Sequence, residues 1–203
     1  MPVGDQQRLV TEIVATVFGQ PARTDVTFDW FINKHTIQHF KKFFPAIEAI
    51  FASLNGNSIA NKTKRTKSLD CDAYFGGEYN LIFEFDEFQH FSSARLNTLE
   101  LYPSDVRVSF DLQGYKQWCS VHRGEADRYR HSKRTKDFDF EGGRTAQRAY
   151  LDCFRDFLPT LHGLNPTIRI SAFEVGSVFA NNKESQQIIK KLIESRLHGN
   201  QKA

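Results

Sequence analysis

Apolar residues recur at helical spacing through residues 6–18, where Leu9, Val10, Ile13, Val14 and Val17 form one stripe, closed by Gly19 and Pro21. Residues 36–54 read as a second helix, interrupted or kinked at Pro45 and stopped by Asn55-Gly56. The stretch 24–32 between them alternates only loosely, as a short strand or an irregular packed segment. The period then changes. Residues 67–75 and 79–86 read as the strands of a hairpin that turns at Gly76-Gly77. The second run is apolar on both faces apart from its acids, the pattern of a central strand. Beyond it, residues 92–101 look helical or turn-like up to Pro103, and 106–110 alternate as a strand at the sheet edge. Residues 113–122 suit a short helix, and the polar, charged stretch 123–143 reads as a loop ending in Gly142-Gly143. Thr145 is the expected N-cap of a strong helix running to about Leu161, with Ala149, Tyr150, Cys153, Phe154, Phe157 and Leu158 on one stripe. Residues 167–170 follow as a strand with Arg169 exposed or facing a site, and 183–197 as a final amphipathic helix.

Helix, hairpin, long helix and strand in that order predict an α/β protein with a mixed central sheet flanked by helices. At 203 residues with 40% hydrophobic positions, the chain suffices for one domain with a sizeable core, and its 19 phenylalanines make that core aromatic. Cys71, Cys119 and Cys153 are widely spaced, without a C-x-x-C pair. They are expected to be reduced, buried thiols rather than zinc ligands or a disulfide framework. No apolar run approaches a membrane span and no signal-peptide pattern opens the chain, so a cytoplasmic location is expected.

The net charge is only +3, but its distribution is uneven. Lys62, Lys64, Arg65 and Lys67 precede the hairpin, and Arg123, Arg128, Arg130, Lys133, Arg134 and Lys136 form a second basic stretch. Between them lie Asp72 and the pair Glu84 and Asp86, which share one face of a strand at i and i+2. Carboxylates on an apolar strand are costly to bury unless something positive sits among them, and a divalent cation bound by oxygen is the simplest answer. Acids flanked by basic runs suit a phosphodiester substrate.

The run Leu81-Ile-Phe-Glu84-Phe-Asp86-Glu87-Phe-Gln89-His90-Phe91 resembles the hydrophobic-E-hydrophobic-D-G-x-x-H signature of endonuclease-fold domains. Those domains are related to the very-short-patch repair endonucleases of the PD-(D/E)xK superfamily. The downstream Arg148-x-x-x-Asp152-x-x-Arg155-Asp156 helix, Gly163 and the strand 167–170 resemble the helix and last strand of the same domains. The resemblance spans about residues 45–175. It implies one nuclease-like domain over 1–203, with 1–44 an N-terminal helical extension and 176–203 a C-terminal helix.

The resemblance implies an endonuclease-like, restriction-endonuclease type fold and a Mg²⁺- or Mn²⁺-dependent endonuclease hydrolysing DNA in restriction, repair or mobile-element defence. Asp72 and Glu84 would hold the metal, with Glu48 as an additional acid and Glu12 as the fallback. Asp86 stands where many members carry a lysine, and Glu87 replaces the usual glycine. His90, Gln89 or Lys67 would then activate the water, unless the metal alone suffices. Arg95, Arg148 and Arg155 would bind backbone phosphates beside Lys67. Alternatives are a nucleic-acid-binding module that has lost catalysis, an RNA-cleaving enzyme, and an interaction protein whose acids bind a structural ion. The final helix would cover the sheet or seal a homodimer.

Overall fold

The computed structural model describes residues 4–198 and 201–202. In chain order these form α1 (Asp5–Phe18), α2 (Ile37–Phe40), a 3-10 turn, α3 (Phe44–Ser53), α4 (Ser58–Thr63), β1 (Ala73–Phe75) and β2 (Leu81–Asp86). A 3-10 turn (Phe88–His90), α5 (Ser93–Glu100), β3 (Arg107–Val108) and α6 (Leu112–Ala126) follow. The chain continues with α7 (Gly143–Leu161), β4 (Ile168–Ser171), α8 (Lys183–His198) and β5 (Gln201–Lys202). No helix among the described residues is long and apolar enough to cross a membrane.

The main sheet is small and mixed, ordered β1-β2-β4. β1 pairs antiparallel to β2 and β4 parallel to it, with Glu84 opposite Arg169 and Asp86 opposite Ser171. β2 is therefore the central strand, every residue of it buried, as its two-faced apolar run predicts. Strand alternation sends Leu81, Phe83 and Phe85 to one side, where Ala73, Phe75, Ile168 and Ile170 join Val10, Ile13 and Val14 of α1 and Ile189 and Ile193 of α8. Ile82 enters the opposite core, with Phe154, Phe157 and Leu158 of α7 and Phe40, Ile47 and Phe51 of the first helices. Glu84 and Asp86 share the parity of Ile82, so the two acids point toward α7.

Several boundaries differ from the sequence expectations for local physical reasons. The helix expected over 36–54 breaks at Lys41, which adopts a left-handed φ of 49°, rather than at Pro45. Pro45 falls in the first turn of α3, where its missing N–H has no intrahelical partner to lose. The first hairpin strand shrinks to three residues; upstream of it Ser68 makes an isolated bridge to Ile32. β3 does not extend the main sheet but pairs with β5, so the edge-strand expectation for 106–110 fails. α6 runs four residues past its expected end, and residues 58–63 form a helix capped by the Asn57 side chain. Gly142, at φ 86°, precedes α7 in place of Thr145, which lies inside the first turn.

Candidate active site

Asp72 stands one residue before β1, in line with Glu84 on β2 by the register Ala73 to Phe83. Its Oδ2 accepts the Phe85 backbone N–H at 2.7 Å, which fixes the carboxylate at the mouth of the strand pair. Asp72 and Glu84 line one cleft of about 270 Å³ together with Gln89, His90, Arg144, Arg148 and Arg155. Gln7 of α1 and Asp72 also border an adjoining cavity of about 530 Å³ along α1.

Glu84 is buried, and burial pushes its carboxyl up to about 8, with Arg155 pulling the other way. The Arg155 Nε lies 2.9 Å from Glu84 Oε2 but is not aligned as a hydrogen-bond donor. Two other bonds anchor that guanidinium, Nη2 to the Asp70 carbonyl at 2.9 Å and Nη1 to the Leu151 carbonyl at 3.2 Å. Glu84 Oε1 is left buried with no hydrogen-bond partner. Burial also raises the Asp72 carboxyl to about 6. Gln89 donates its amide to Glu87, leaving its own Oε1 buried and unpartnered. Glu84 Oε1 and Gln89 Oε1, buried without partners, and the Asp72 carboxylate make an all-oxygen donor set in which burial suppresses the ionisation of both acids despite Arg155 beside Glu84. That set fits a hard divalent cation.

His90 reaches the cleft from the 3-10 turn after β2. Its Nδ1 lies 2.9 Å from Asp152 Oδ2 and 3.4 Å from Asp86 Oδ1, and its side chain is 21% exposed against 2% for each aspartate. Nε2 has no hydrogen-bond partner among the described residues. Behind His90 lies a closed ion cluster. Arg169 Nη1 meets Asp86 Oδ1 at 2.7 Å, its Nε meets Asp156 Oδ1 at 2.7 Å, and its Nη2 lies 3.6 Å from Asp152 Oδ1. Arg95 joins through Asp156 at 2.8 Å and donates to the Tyr102 hydroxyl at 2.7 Å. Burial alone would raise Asp152, but His90, Arg169 and Arg95 more than offset it and hold the carboxyl below the usual carboxylate range.

Asp86, His90 and Asp152 bring ligand atoms within 4.8 Å of one another, the spacing of a metal site. Arg169 already neutralises both aspartates there, so a second cation would meet a guanidinium at contact distance.

The structure therefore sorts the sequence candidates. Asp72, Glu84, Gln89, His90, Arg148 and Arg155 come together at the cleft. Asp86 does not line it; Arg169 holds its carboxylate within the core, so the face it shares with Glu84 does not bring it to the cleft. Arg95 is 2% exposed and committed to Asp156, so it cannot reach a phosphate. Glu48 is exposed because α3 buries Ile47, Ile50 and Phe51 on its other face. Lys67 is also exposed, tied through its backbone to Asn33, and lies outside the cleft. Arg169, expected at the surface or facing the site, is fully buried.

Sequence reasoning did not name Arg144, and it named Asp152 as part of the helix motif without giving it a role at the site. Arg144 lies on the cleft-facing row of α7, one turn before Arg148. Neither arginine is ion-paired among the described residues. Arg148 donates to the Gln89 carbonyl at 3.2 Å and packs over the Tyr129 ring at 5.6 Å, while Arg144 donates to Gln147 at 2.6 Å. Burial and neighbouring positive charge lower both guanidiniums from their ordinary range. The two basic stretches are also joined, since buried Lys64 pairs with Asp137 and the Asn57 N–H meets the Asp137 carbonyl at 2.7 Å. No protein-family model, curated protein or solved structure matches the chain.

Proposed function

We propose that the chain is a metal-dependent endonuclease hydrolysing DNA phosphodiester bonds in the Asp72–Glu84 cleft. The observation that carries this reading is the unsatisfied Glu84 Oε1, buried beside Asp72 in a cleft edged by two guanidiniums that have no carboxylate partner. Asp72, Glu84 and the side-chain Oε1 of Gln89 would hold Mg²⁺ or Mn²⁺, which when bound would acidify a water and offset the charge of the transition state. His90 moves a proton at Nε2, and Asp152 fixes its ring by accepting from Nδ1. This pair stands in for the missing lysine, since Lys67 lies elsewhere. Arg144 and Arg148 hold the phosphates beside the scissile one, and Arg155 keeps Glu84 aimed at the cleft.

Plasmid cleavage in Mg²⁺ or Mn²⁺, abolished by Glu84→Gln while the folded circular dichroism spectrum persists, is the expected result. A specific observation favours one competing reading, a DNA-binding module without catalysis: no lysine reaches the cleft, and an arginine already lies against Glu84. Salt-dependent DNA binding with no cleavage in either metal would select that module.

A further inference from the structure

The Tyr129 ring meets Phe88 edge-to-face at 5.6 Å, in the 3-10 turn that also carries Gln89 and His90 to the cleft. Two guanidiniums lie over that same tyrosine ring, Arg130 at 5.3 Å and Arg148 at 5.6 Å from its centroid. Arg144 stands one helical turn before Arg148 and lines the cleft with it. The segment that carries Tyr129 and Arg130 is bonded to the start of α7. The Gly142 N–H donates to the His131 carbonyl at 2.6 Å, and the Arg144 N–H to the Lys133 carbonyl at 3.0 Å. Arg130 itself adopts a left-handed φ of 54°, and its carbonyl accepts the Lys133 N–H at 2.9 Å.

The acids of this segment have other partners. Asp127 accepts the Ser93 N–H at 3.0 Å, Asp137 pairs with Lys64, Asp139 lies 3.9 Å from Arg134, and Glu141 lies 3.6 Å from His131. Arg130, Arg144 and Arg148 make no ion pair among the described residues. A ring face attracts a guanidinium through its quadrupole but brings no net charge. Tyr129 therefore gathers positive charge that a carboxylate would have cancelled. Burial lowers the Arg144 and Arg148 guanidiniums from their ordinary range, and Arg130 adds to that at both.

We propose that Arg130, Arg144 and Arg148, grouped about Tyr129, form a seat for the terminal phosphate of a DNA strand. The seat names the part of the substrate that the cleft takes, and rests on the nuclease reading above for the cleavage beside it. An internal phosphodiester offers a single negative charge and only two free oxygens. A terminal phosphomonoester carries about −1.5 to −2 at neutral pH and three free oxygens. Three guanidiniums without counter-charge match the second, each fork taking its own oxygen. Tyr129 is a positioning residue here, since it touches the arginines and not the phosphate. The linkage to be cut then lies near a phosphorylated end, toward Asp72 and Glu84 in the same cleft.

The test uses the full chain without divalent metal, so that binding is read apart from cleavage. Oligodeoxynucleotides with an internal fluorophore carry a phosphate at the 5′ end, at the 3′ end or at neither, and anisotropy reads affinity. A phosphorylated strand should bind about tenfold tighter than the hydroxyl-ended one, as a gained charge-assisted bond implies. The arm that shows the gain identifies the end. Arg130→Gln, at an exposed position, should remove most of that preference. Tyr129→Leu should do the same, while Tyr129→Phe, which keeps the ring face, should retain it. Equal affinity for all three strands in a formed complex overturns the seat and leaves the nuclease reading standing. A preference that folded Arg130→Gln and Tyr129→Leu both keep in full also overturns it. A preference without cleavage in either metal upholds the seat and overturns the nuclease reading. Absence of any complex with DNA overturns both.

Discussion

His90 Nδ1 lies 2.9 Å from Asp152 Oδ2, so a largely buried imidazole at the cleft is oriented by a carboxylate from the middle of α7. The pairing joins the turn after the central strand to the helix that covers it, and it leaves the second ring nitrogen free for proton transfer. His90→Ala is expected to lower the cleavage rate about 10²-fold with the fold and metal binding retained, the usual effect of losing a general acid or base. Single-turnover cleavage over pH 5.5–9 checks it. A wild-type rate and pH profile would remove His90 from the chemistry.

Arg169 meets both Asp86 and Asp152 from within the sheet, and it shares Asp156 with Arg95. Replacing it by methionine keeps the packing volume but leaves three buried carboxylates with too little compensation. Breaking a buried pair in this way costs about 3–5 kcal/mol. Urea denaturation of Arg169→Met should show a loss of that order. A change under 1 kcal/mol would mean the cluster is solvated in a way its burial does not suggest.

The sequence carried the central strand, the acids on it and the long helix, because each rests on local periodicity or on a charge where an apolar residue is expected. It did not carry the partners of those acids. Asp86 and Glu84 share parity on β2, yet one is neutralised by Arg169 inside the core and the other opens to the cleft. That difference comes from β4 and α7, far along the chain. Arg95 and Arg169 misled for the same reason, since a lone arginine in sequence reads as solvent- or ligand-facing until its carboxylates are placed. Asp152 and Arg144 had a usable signal in the helix resembling the endonuclease domains, where apolar stripe and charged row alternate. Residues 106–110 show the limit of alternation, because their partner strand, 201–202, lies far along the chain and is only two residues long.

Arg144 and Arg148 line the cleft without ion-pair partners, and their guanidiniums are held below their ordinary range by burial and by nearby positive charge. A phosphate at that position relieves both effects. Arg144→Gln and Arg148→Gln should each weaken DNA binding across sequences and reduce the slope of log affinity against log salt by about 1. Fluorescence anisotropy between 50 and 300 mM salt (roughly the range where such slopes are resolved) measures it. Slopes equal to wild type would place the DNA backbone away from α7.

Asp72 and Glu84 make the metal-free protein's stability depend on pH with an unusual sign. Burial raises their carboxyls to about 6 and about 8 from ordinary values of 3.8 and 4.5. Below about pH 3 both are protonated in the folded and unfolded chain, and their contribution is complete. As pH rises toward 8 the unfolded chain ionises first, so stability falls through this window rather than rising as it does for a salt-bridged carboxylate. The combined loss between pH 5 and 8 is on the order of 5 kcal/mol. Glu84→Gln carries no proton at that position and should flatten most of the slope. Mg²⁺ or Mn²⁺ should restore stability at pH 8 more than at pH 5.5, because at the lower pH the cation must first displace both protons. Urea midpoints of wild type and Glu84→Gln at pH 5, 6.5 and 8, with and without the metal, decide the matter. A wild-type stability that climbs from pH 5 to 8 without metal would show the two acids ionised throughout, with Arg155 rather than protons balancing Glu84.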